Sequence, residues 1–181
     1  MASFKKKIIF GILIACSIIF IMLNNKITDV HVEADIVDNF KTVEDLAERA
    51  ELILEIDVNS TESINYGDLI FTLSTNNVNK VYKGIEDMKT VSILETGGIG
   101  MLNINGKKSE VNLILEQNEV LKNKENVIVY LEKYEGPIAQ DCYVILGVHQ
   151  GKFKLNKTNK ITPPKFHDDF KNINELSDLK L

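Results

Sequence analysis

The 181-residue chain is poor in several residue types, and each shortage narrows its possible roles. It has no tryptophan, a single arginine (Arg49), and two cysteines, Cys16 and Cys142. Because Cys16 lies in an N-terminal apolar segment, Cys142 has no partner for a disulfide within the rest of the chain. The three histidines, His31, His149 and His167, are scattered, so their spacing predicts no metal site, and no cofactor is expected.

The charge is unevenly distributed along the sequence. Residues 35–149 carry 20 acidic and 10 basic residues, whereas residues 150–181 carry seven lysines and four acids. An acidic body repels phosphate backbones, so we expect no nucleic-acid partner. The segment Lys152–Lys165 holds five lysines and no acid. It is either a weak contact site for an anionic surface or a solvated tail.

The N-terminus has the layout of an export signal. Three lysines at positions 5–7 precede Ile8–Leu23, sixteen residues without a charge. Such a segment is short for a bilayer-spanning helix, which prefers about 20 residues, although lysine snorkelling and local thinning can compensate. The segment is therefore either a retained membrane anchor, through residues 8–23, or a signal cleaved after Ala34. A third alternative is a lipoprotein box, Leu13–Cys16. All three place the remaining chain outside the cytoplasmic membrane or in the medium.

The remaining chain has the pattern of short β-strands. Two apolar runs, Val127–Leu131 and Cys142–Val148, are joined by a connection containing Gly136-Pro137 and predict a central hairpin. Strict alternation from Leu52 to Val58 predicts a half-buried strand with its acids outward. Thr42 followed by Asp45 predicts a capped helix, Val43–Ala50.

Other segments predict connections. Asn59–Asp68 is polar and predicts a loop, and Thr75–Asn77 predicts an irregularity before a strand at Val78–Tyr82. Glycines at 97, 98 and 100 invite a phosphate-binding interpretation, but no helical pattern follows, so they predict a bend. A second helix is predicted from Asp168 through Lys180, with apolar residues at helical spacing.

These elements predict a mainly β fold: a small antiparallel β-barrel (OB-like) or a sandwich, with one N-terminal helix, a C-terminal helix and an N-terminal signal or anchor helix. We expect three regions: an export signal or membrane anchor at 1–34, a β-barrel domain at 35–156, and a tail with a short helix at 157–181.

Four blocks of the sequence resemble an uncharacterised family of small exported β-rich bacterial domains. They are Val78–Gly84, Gly97-Gly98, Val120–Lys122 leading into Val127–Leu131, and Ile145–Phe153. The resemblance covers about Val43–Leu155. It implies a barrel-like exported domain and no particular activity.

No residue pattern predicts catalysis. Cys142 and His149 are the nucleophile and base that a cysteine hydrolase or transpeptidase would use, but a separation of seven residues on one strand turns them to opposite faces. A sortase-like enzyme would also need an arginine after the cysteine, and none follows.

Aromatic residues could instead form a binding face on the barrel. They are Tyr66, Phe71, Tyr82, Tyr130, Tyr134, Tyr143 and Phe153.

The sequence thus favours an exported, membrane-anchored, non-catalytic β-barrel module of the bacterial cell envelope that binds an unknown protein or glycan. The alternatives are an exported hydrolase or transpeptidase using Cys142 and His149, and a small secreted protease inhibitor.

Overall fold

The computed structural model describes residues 27–33, 39–158, 160–165 and 170–181. Its elements are β1 (Thr28–Val32), α1 (Val43–Arg49), β2 (Leu52–Tyr66), β3 (Leu69–Lys83), β4 (Thr90–Thr96), β5 (Gly98–Ile104), β6 (Lys107–Leu115), β7 (Asn126–Lys133), β8 (Tyr143–Ile145), β9 (Lys152–Leu155), β10 (Ile161–Thr162) and a 3-10 helix (Leu176–Leu179). The predicted mainly β fold is confirmed.

The strands form two sheets. The larger has the order β10-β9-β7-β2-β3-β4-β8, and β8 also pairs with β7, which makes this sheet partly ring-like. All its neighbours are antiparallel except β4 and β8. The smaller sheet has the order β1-β6-β5, with β1 parallel to β6. The predicted central hairpin is β7–β8, and β7 also pairs with β2 and β9.

Both faces of β7 are buried, which explains its unbroken apolar sequence. One row packs inside the ring, where Leu54, Ile56 and Val129 have almost no exposed surface. The other row, including Tyr130, packs under α1 and the C-terminal segment. Helix α1 begins at the predicted cap: the Thr42 hydroxyl accepts a hydrogen bond from Asp45 N, and the Asp45 carboxylate accepts one from Thr42 N.

The prediction of a loop at Asn59–Asp68 is wrong, because β2 continues as a strand to Tyr66 and turns into β3 at Gly67. Its polar side chains have a structural role. Ser63 Oγ donates to the carbonyl of Ile99, and the Asn65 side chain bonds both N and O of Met101. These polar side chains therefore cover the otherwise unpaired edge of β5 and keep it from pairing with another strand.

The irregularity predicted at Thr75–Asn77 is found on the strand opposite. Val58 pairs with Asn76 but Ser60 pairs with Thr75, so the extra residue of the bulge belongs to β2. The glycine bend is also found. Gly97 and Gly98 have φ values of +116° and +100°, and β5 starts at the second of them.

The prediction of a helix from Asp168 to Lys180 is wrong over residues 170–181, where the chain forms no α-helix and has 3-10 conformation only at Phe170 and at Leu176–Leu179. Asn174 explains the break, because its carbonyl accepts a hydrogen bond from Ile161 N on β10. The Asp178 carboxylate then accepts from Asn174 N and Glu175 N. Local side-chain bonds of this kind compete with helix formation. Phe170 and Leu179 are still fully buried against the large sheet.

Several predictions fall outside the described residues: the apolar segment 8–23, Cys16, the cleavage point after Ala34, and His167 with Asp168. Within the described ranges, no helix has the length and apolar character needed to cross a bilayer.

Candidate functional site

Two adjoining clefts open at the β9–β10 edge of the large sheet, and Lys154 and Thr162 line both. The first, of about 200 Å³, is also lined by Gln117, Asn118, Glu119, Lys152, Pro163, Pro164 and Lys165. The second is wider, about 630 Å³, and is also lined by Glu55, Lys124, Glu125, Asn126, Leu155, Asn156 and Lys157. We call them together the lysine clefts.

Local hydrogen bonds fix the two chain segments that carry the exposed lysines. Asn156 Oδ1 accepts from Thr158 N (2.9 Å), Thr158 Oγ1 (2.8 Å) and Lys160 N (3.0 Å), which shapes the β9–β10 connection around Lys157. Asn118 accepts from Lys165 N at 3.0 Å and donates to the Lys165 carbonyl at 3.3 Å. The walls of the clefts are therefore set before any ligand binds.

Lys152 belongs to the structure of the clefts and is not available to a ligand. Its Nζ lies 2.5 Å from Glu95 Oε1, and the two side chains are only 5% and 4% exposed. The Lys152 ammonium also donates to the Glu119 carbonyl, and the other oxygen of Glu95 accepts from Leu121 N. A buried pair satisfied on both sides joins β9 to β4 and to the segment beside the clefts.

The remaining lysines are accessible. Lys124, Lys157 and Lys165 are exposed, and Lys154 is 36% exposed while it pairs with Glu125 at 2.6 Å. Their field acts on Glu119, whose pKa is lowered first by its hydrogen bond from Lys122 and then by the charges of Lys122, Lys154 and Lys165. The cleft lining holds five lysines and three glutamates, a small surplus of positive charge on an otherwise acidic molecule.

The clefts are lined by groups that are suited to binding an oxygen-rich ligand. Their described lining contains amides, hydroxyls, ammonium groups and carboxylates but no serine, cysteine or histidine. Ammonium and amide groups donate hydrogen bonds to carboxylate, phosphate and sugar oxygens. This arrangement can hold an anionic, oxygen-rich group.

Cys142 and His149 lie at opposite ends of β8. The Cys142 carbonyl accepts from Tyr134 N, whereas the turn that carries His149 follows Leu146, which bonds to Tyr130. Cys142 is fully buried among apolar residues, and this burial raises the pKa of its thiol above the usual value. A buried thiol that resists ionisation is the opposite of an activated nucleophile.

The aromatic residues do not share one face. Tyr130 and Phe153 are fully buried, in edge-to-face contact, and Tyr130 Oη donates to the Leu179 carbonyl at 2.9 Å. Phe71 packs in the cluster that holds Cys142, and Tyr66 is half exposed at the end of β2. Their role in this structure is mainly packing.

Candidate metal ligands are equally dispersed. His31 lies on β1 and His149 follows β8, and in the part of the chain that the structure describes no three histidine, cysteine or carboxylate side chains converge.

Sequence reasoning singled out the lysine run at 152–165 but missed its partners. The Glu95 and Glu125 carboxylates and the Glu119 carbonyl come from segments 29 to 57 residues away from Lys152 and Lys154. Tertiary folding brings these segments together, and no local pattern in the sequence signals it.

Comparisons of the chain with protein-family models, curated proteins and solved structures found no match. The site is therefore interpreted from its own geometry.

Proposed function

We propose that the protein is an exported, membrane-anchored and non-catalytic β-barrel module of the bacterial cell envelope that binds an anionic glycan in the lysine clefts. The observation that carries the binding role is the convergence of four accessible lysines on two clefts of an acidic molecule. The resemblance to a family of exported β-rich domains supports the export and the barrel in this proposal, but it implies no binding role.

The proposed barrel is OB-like. Its ring is β2-β3-β4-β8-β7, in which the last strand pairs back with the first and one parallel pair, β4–β8, interrupts the antiparallel order. Five strands with this connectivity are expected of an OB barrel, a fold that presents its surface and loops to oligomeric ligands. The acidic body disfavours nucleic acid among those ligands.

Retention of the N-terminal segment as an anchor is supported by β1. All five residues of this strand pair with β6, from Thr28 opposite Val111 to Val32 opposite Leu115. Val30 packs on the apolar cluster of the small sheet. Cleavage after Ala34 would remove β1 and expose the β6 edge, which favours aggregation. We therefore favour the uncleaved form, with residues 8–23 in the membrane and the domain on its outer face.

A glycan fits the clefts better than an apolar peptide segment does. Leu155 and the two prolines are the main apolar side chains in a lining otherwise made of amide, hydroxyl and charged groups. Sugar hydroxyls match the exposed Gln117 amide and Thr162 hydroxyl, and a carboxylate or phosphate on the sugar matches the lysines.

The binding role is tested by titrating the full chain, held in nanodiscs, with polygalacturonate as an anionic glycan and with dextran as a neutral one. We expect binding of polygalacturonate alone, weakened by salt because the contact is between charges. The double variant Lys157→Gln/Lys165→Gln is expected to lose at least about tenfold in affinity, since each charged hydrogen bond contributes about 1.5–3 kcal/mol when fully formed.

The matched control is Lys80→Gln/Lys89→Gln, which removes the same charge from β3 and from the approach to β4. An equal loss of affinity in both double variants would show that net charge, and not the clefts, governs binding. Failure of polygalacturonate to bind at low salt would argue against a polyanionic glycan ligand. Intact-mass and N-terminal analysis of the membrane fraction tests the anchor, because a new N-terminus at Asp35 contradicts its retention.

A further inference from the structure

Two β-turns lie side by side at one end of the molecule. The β2–β3 turn comprises Tyr66–Leu69, and the β5–β6 turn comprises Ile104–Lys107. The Asn65 side chain bonds both backbone groups of Met101, at 2.6 Å and 3.3 Å, and so ties the first hairpin to the second. We call these two turns, together with Met101, the hairpin end.

The hairpin end exposes an unusual amount of apolar surface. Among the described residues ten large apolar side chains are exposed, and four of them belong to the hairpin end: Tyr66, Leu69, Met101 and Ile104. A fifth, Ile99, lies at the start of β5. Clustered apolar side chains of this kind mark an interaction surface, whereas single ones need no explanation. Beside them are the exposed cations Lys107 and Lys108 and the acids Asp68 and Glu110.

The direction of β1 shows on which side of the molecule this strand begins. Because β1 is parallel to β6, its first residue, Thr28, is the end of the strand that lies nearer the β5–β6 turn at Lys107. Strand β1 therefore begins on the side of the molecule that carries the hairpin end.

Chain length then limits how far the hairpin end can stand from the uncharged segment. Three residues separate Leu23 from Ile27, and the four steps between these two residues span at most about 14 Å at 3.3–3.6 Å each, whatever path they take. Val111, opposite Thr28, lies four residues from Lys107, or about 13 Å along the strand. A linker of this length can reach the level of the hairpin end but cannot extend far beyond it.

We propose that the hairpin end rests on the lipid bilayer that holds residues 8–23, with Tyr66, Leu69, Met101 and Ile104 in the interfacial layer and Lys107 and Lys108 among the headgroups. This inference rests on the proposed anchor. Amphipathic and apolar side chains flanked by lysines are favoured in that layer. The lysine clefts are not part of this surface.

The absence of tryptophan permits a direct test, because an introduced tryptophan is the only one in the chain. Full-length Leu69→Trp is reconstituted into phosphatidylcholine–phosphatidylglycerol vesicles with or without brominated acyl chains. We expect at least about a twofold loss of fluorescence in brominated vesicles, with a blue-shifted emission, since interfacial side chains lie about 5–10 Å into the headgroup–acyl boundary. Ile104→Trp provides a second reporter on the other turn, in case the first variant fails to fold.

The matched control is Ile85→Trp, at an apolar side chain that is also exposed (57%, against 47% for Leu69) but follows the other end of β3. Its emission should not respond to bromine. Equal quenching at positions 69 and 85, or none at 69 and 104, overturns the proposal. Acrylamide, a quencher dissolved in the water, provides a further check. If Trp at position 69 is protected from acrylamide but is not quenched by bromine, a second copy or another protein covers the surface, and the proposal is overturned.

Flotation of the same vesicles after an alkaline carbonate wash separates this inference from the anchor. Chains that float but show no bromine quenching are anchored without docking. Chains that do not float contradict both the anchor and the docking that depends on it.

Discussion

Replacing Lys152 with methionine removes the positive partner of a buried carboxylate. Glu95 then keeps one hydrogen bond, from Leu121 N, and loses the ammonium that lies 2.5 Å from its other oxygen. Methionine preserves most of the volume of the lysine stem, so packing changes little. The consequence is an uncompensated charge in a part of the molecule that is about 95% inaccessible to water.

Breaking a buried pair in this way destabilises a protein by about 3–5 kcal/mol. Replacing both members removes the uncompensated charge, so the double variant Lys152→Met/Glu95→Gln should be closer to the unmodified chain than Lys152→Met alone is. The second substitution is expected to be favourable when the first is present. That reversal of sign distinguishes a buried pair from two independent residues.

The free energy of unfolding is measured by urea titration of the full chain in detergent micelles, followed by far-ultraviolet circular dichroism. Lys154→Met is the matched control, because it lies two residues along the same strand and its pair with Glu125 is 36% and 22% exposed. A partly exposed pair contributes about 1 kcal/mol or less. Equal, small effects of Lys152→Met and Lys154→Met would refute the assignment of a buried structural pair.

Three further outcomes follow from buried or strained positions. The first concerns Cys142, in a chain whose other cysteine is replaced by serine. Its reaction with iodoacetamide at neutral pH should be at least about tenfold slower in the folded chain than in urea, because burial raises the pKa of its thiol. Equal rates in the two states would restore the nucleophile hypothesis. Gly98→Ala should destabilise the fold by about 2 kcal/mol or more, since φ is +100° and an added Cβ would lie 2.2 Å from the Thr72 hydroxyl oxygen. Gly67→Ala has a positive φ but open space, so about 1 kcal/mol is expected, and equal unfolding energies for the two variants would contradict the crowding argument. Burial raises the pKa of Tyr130 in the folded chain. Above pH ~10 its phenol therefore ionises in the unfolded chain but stays neutral in the folded one, so the free energy of unfolding falls as the pH rises. Tyr130→Phe should lower the free energy of unfolding by about 1 kcal/mol at neutral pH, because the hydrogen bond to the Leu179 carbonyl is lost, and should reduce its fall at alkaline pH. The measurement is urea titration at several pH values, and an unchanged fall in the variant would contradict this.

The polar second half of β2, from Asn59 to Tyr66, was predicted from the sequence to be a loop. A strand is recognised by alternation when one face meets an apolar core, as at Leu52–Val58. Beyond Asn59 the same strand is covered by a second sheet through hydrogen bonds from Ser63 and Asn65, so its inward residues are polar. The pattern then reads as a loop, although the backbone is fully paired with β3.

The prediction of a C-terminal helix failed for a related reason. Apolar residues at helical spacing were correctly expected to be buried, as Phe170 and Leu179 are. Their backbone, however, bonds to β10 through Asn174 instead of closing helical turns. Burial follows from side-chain chemistry, whereas the backbone conformation depended on a partner strand distant in the sequence.

The sequence by itself determined the mainly β class, the capped helix α1, the glycine bend and the β7–β8 hairpin, because each depends on residues close along the chain. Only the tertiary structure decided which strands close the ring, that β1 joins the small sheet, and that Lys152 is buried against Glu95 while Lys157 and Lys165 stay exposed. The physical reason is that strand pairing and ion pairing join segments that are distant in the sequence, and no local pattern in either segment identifies its partner.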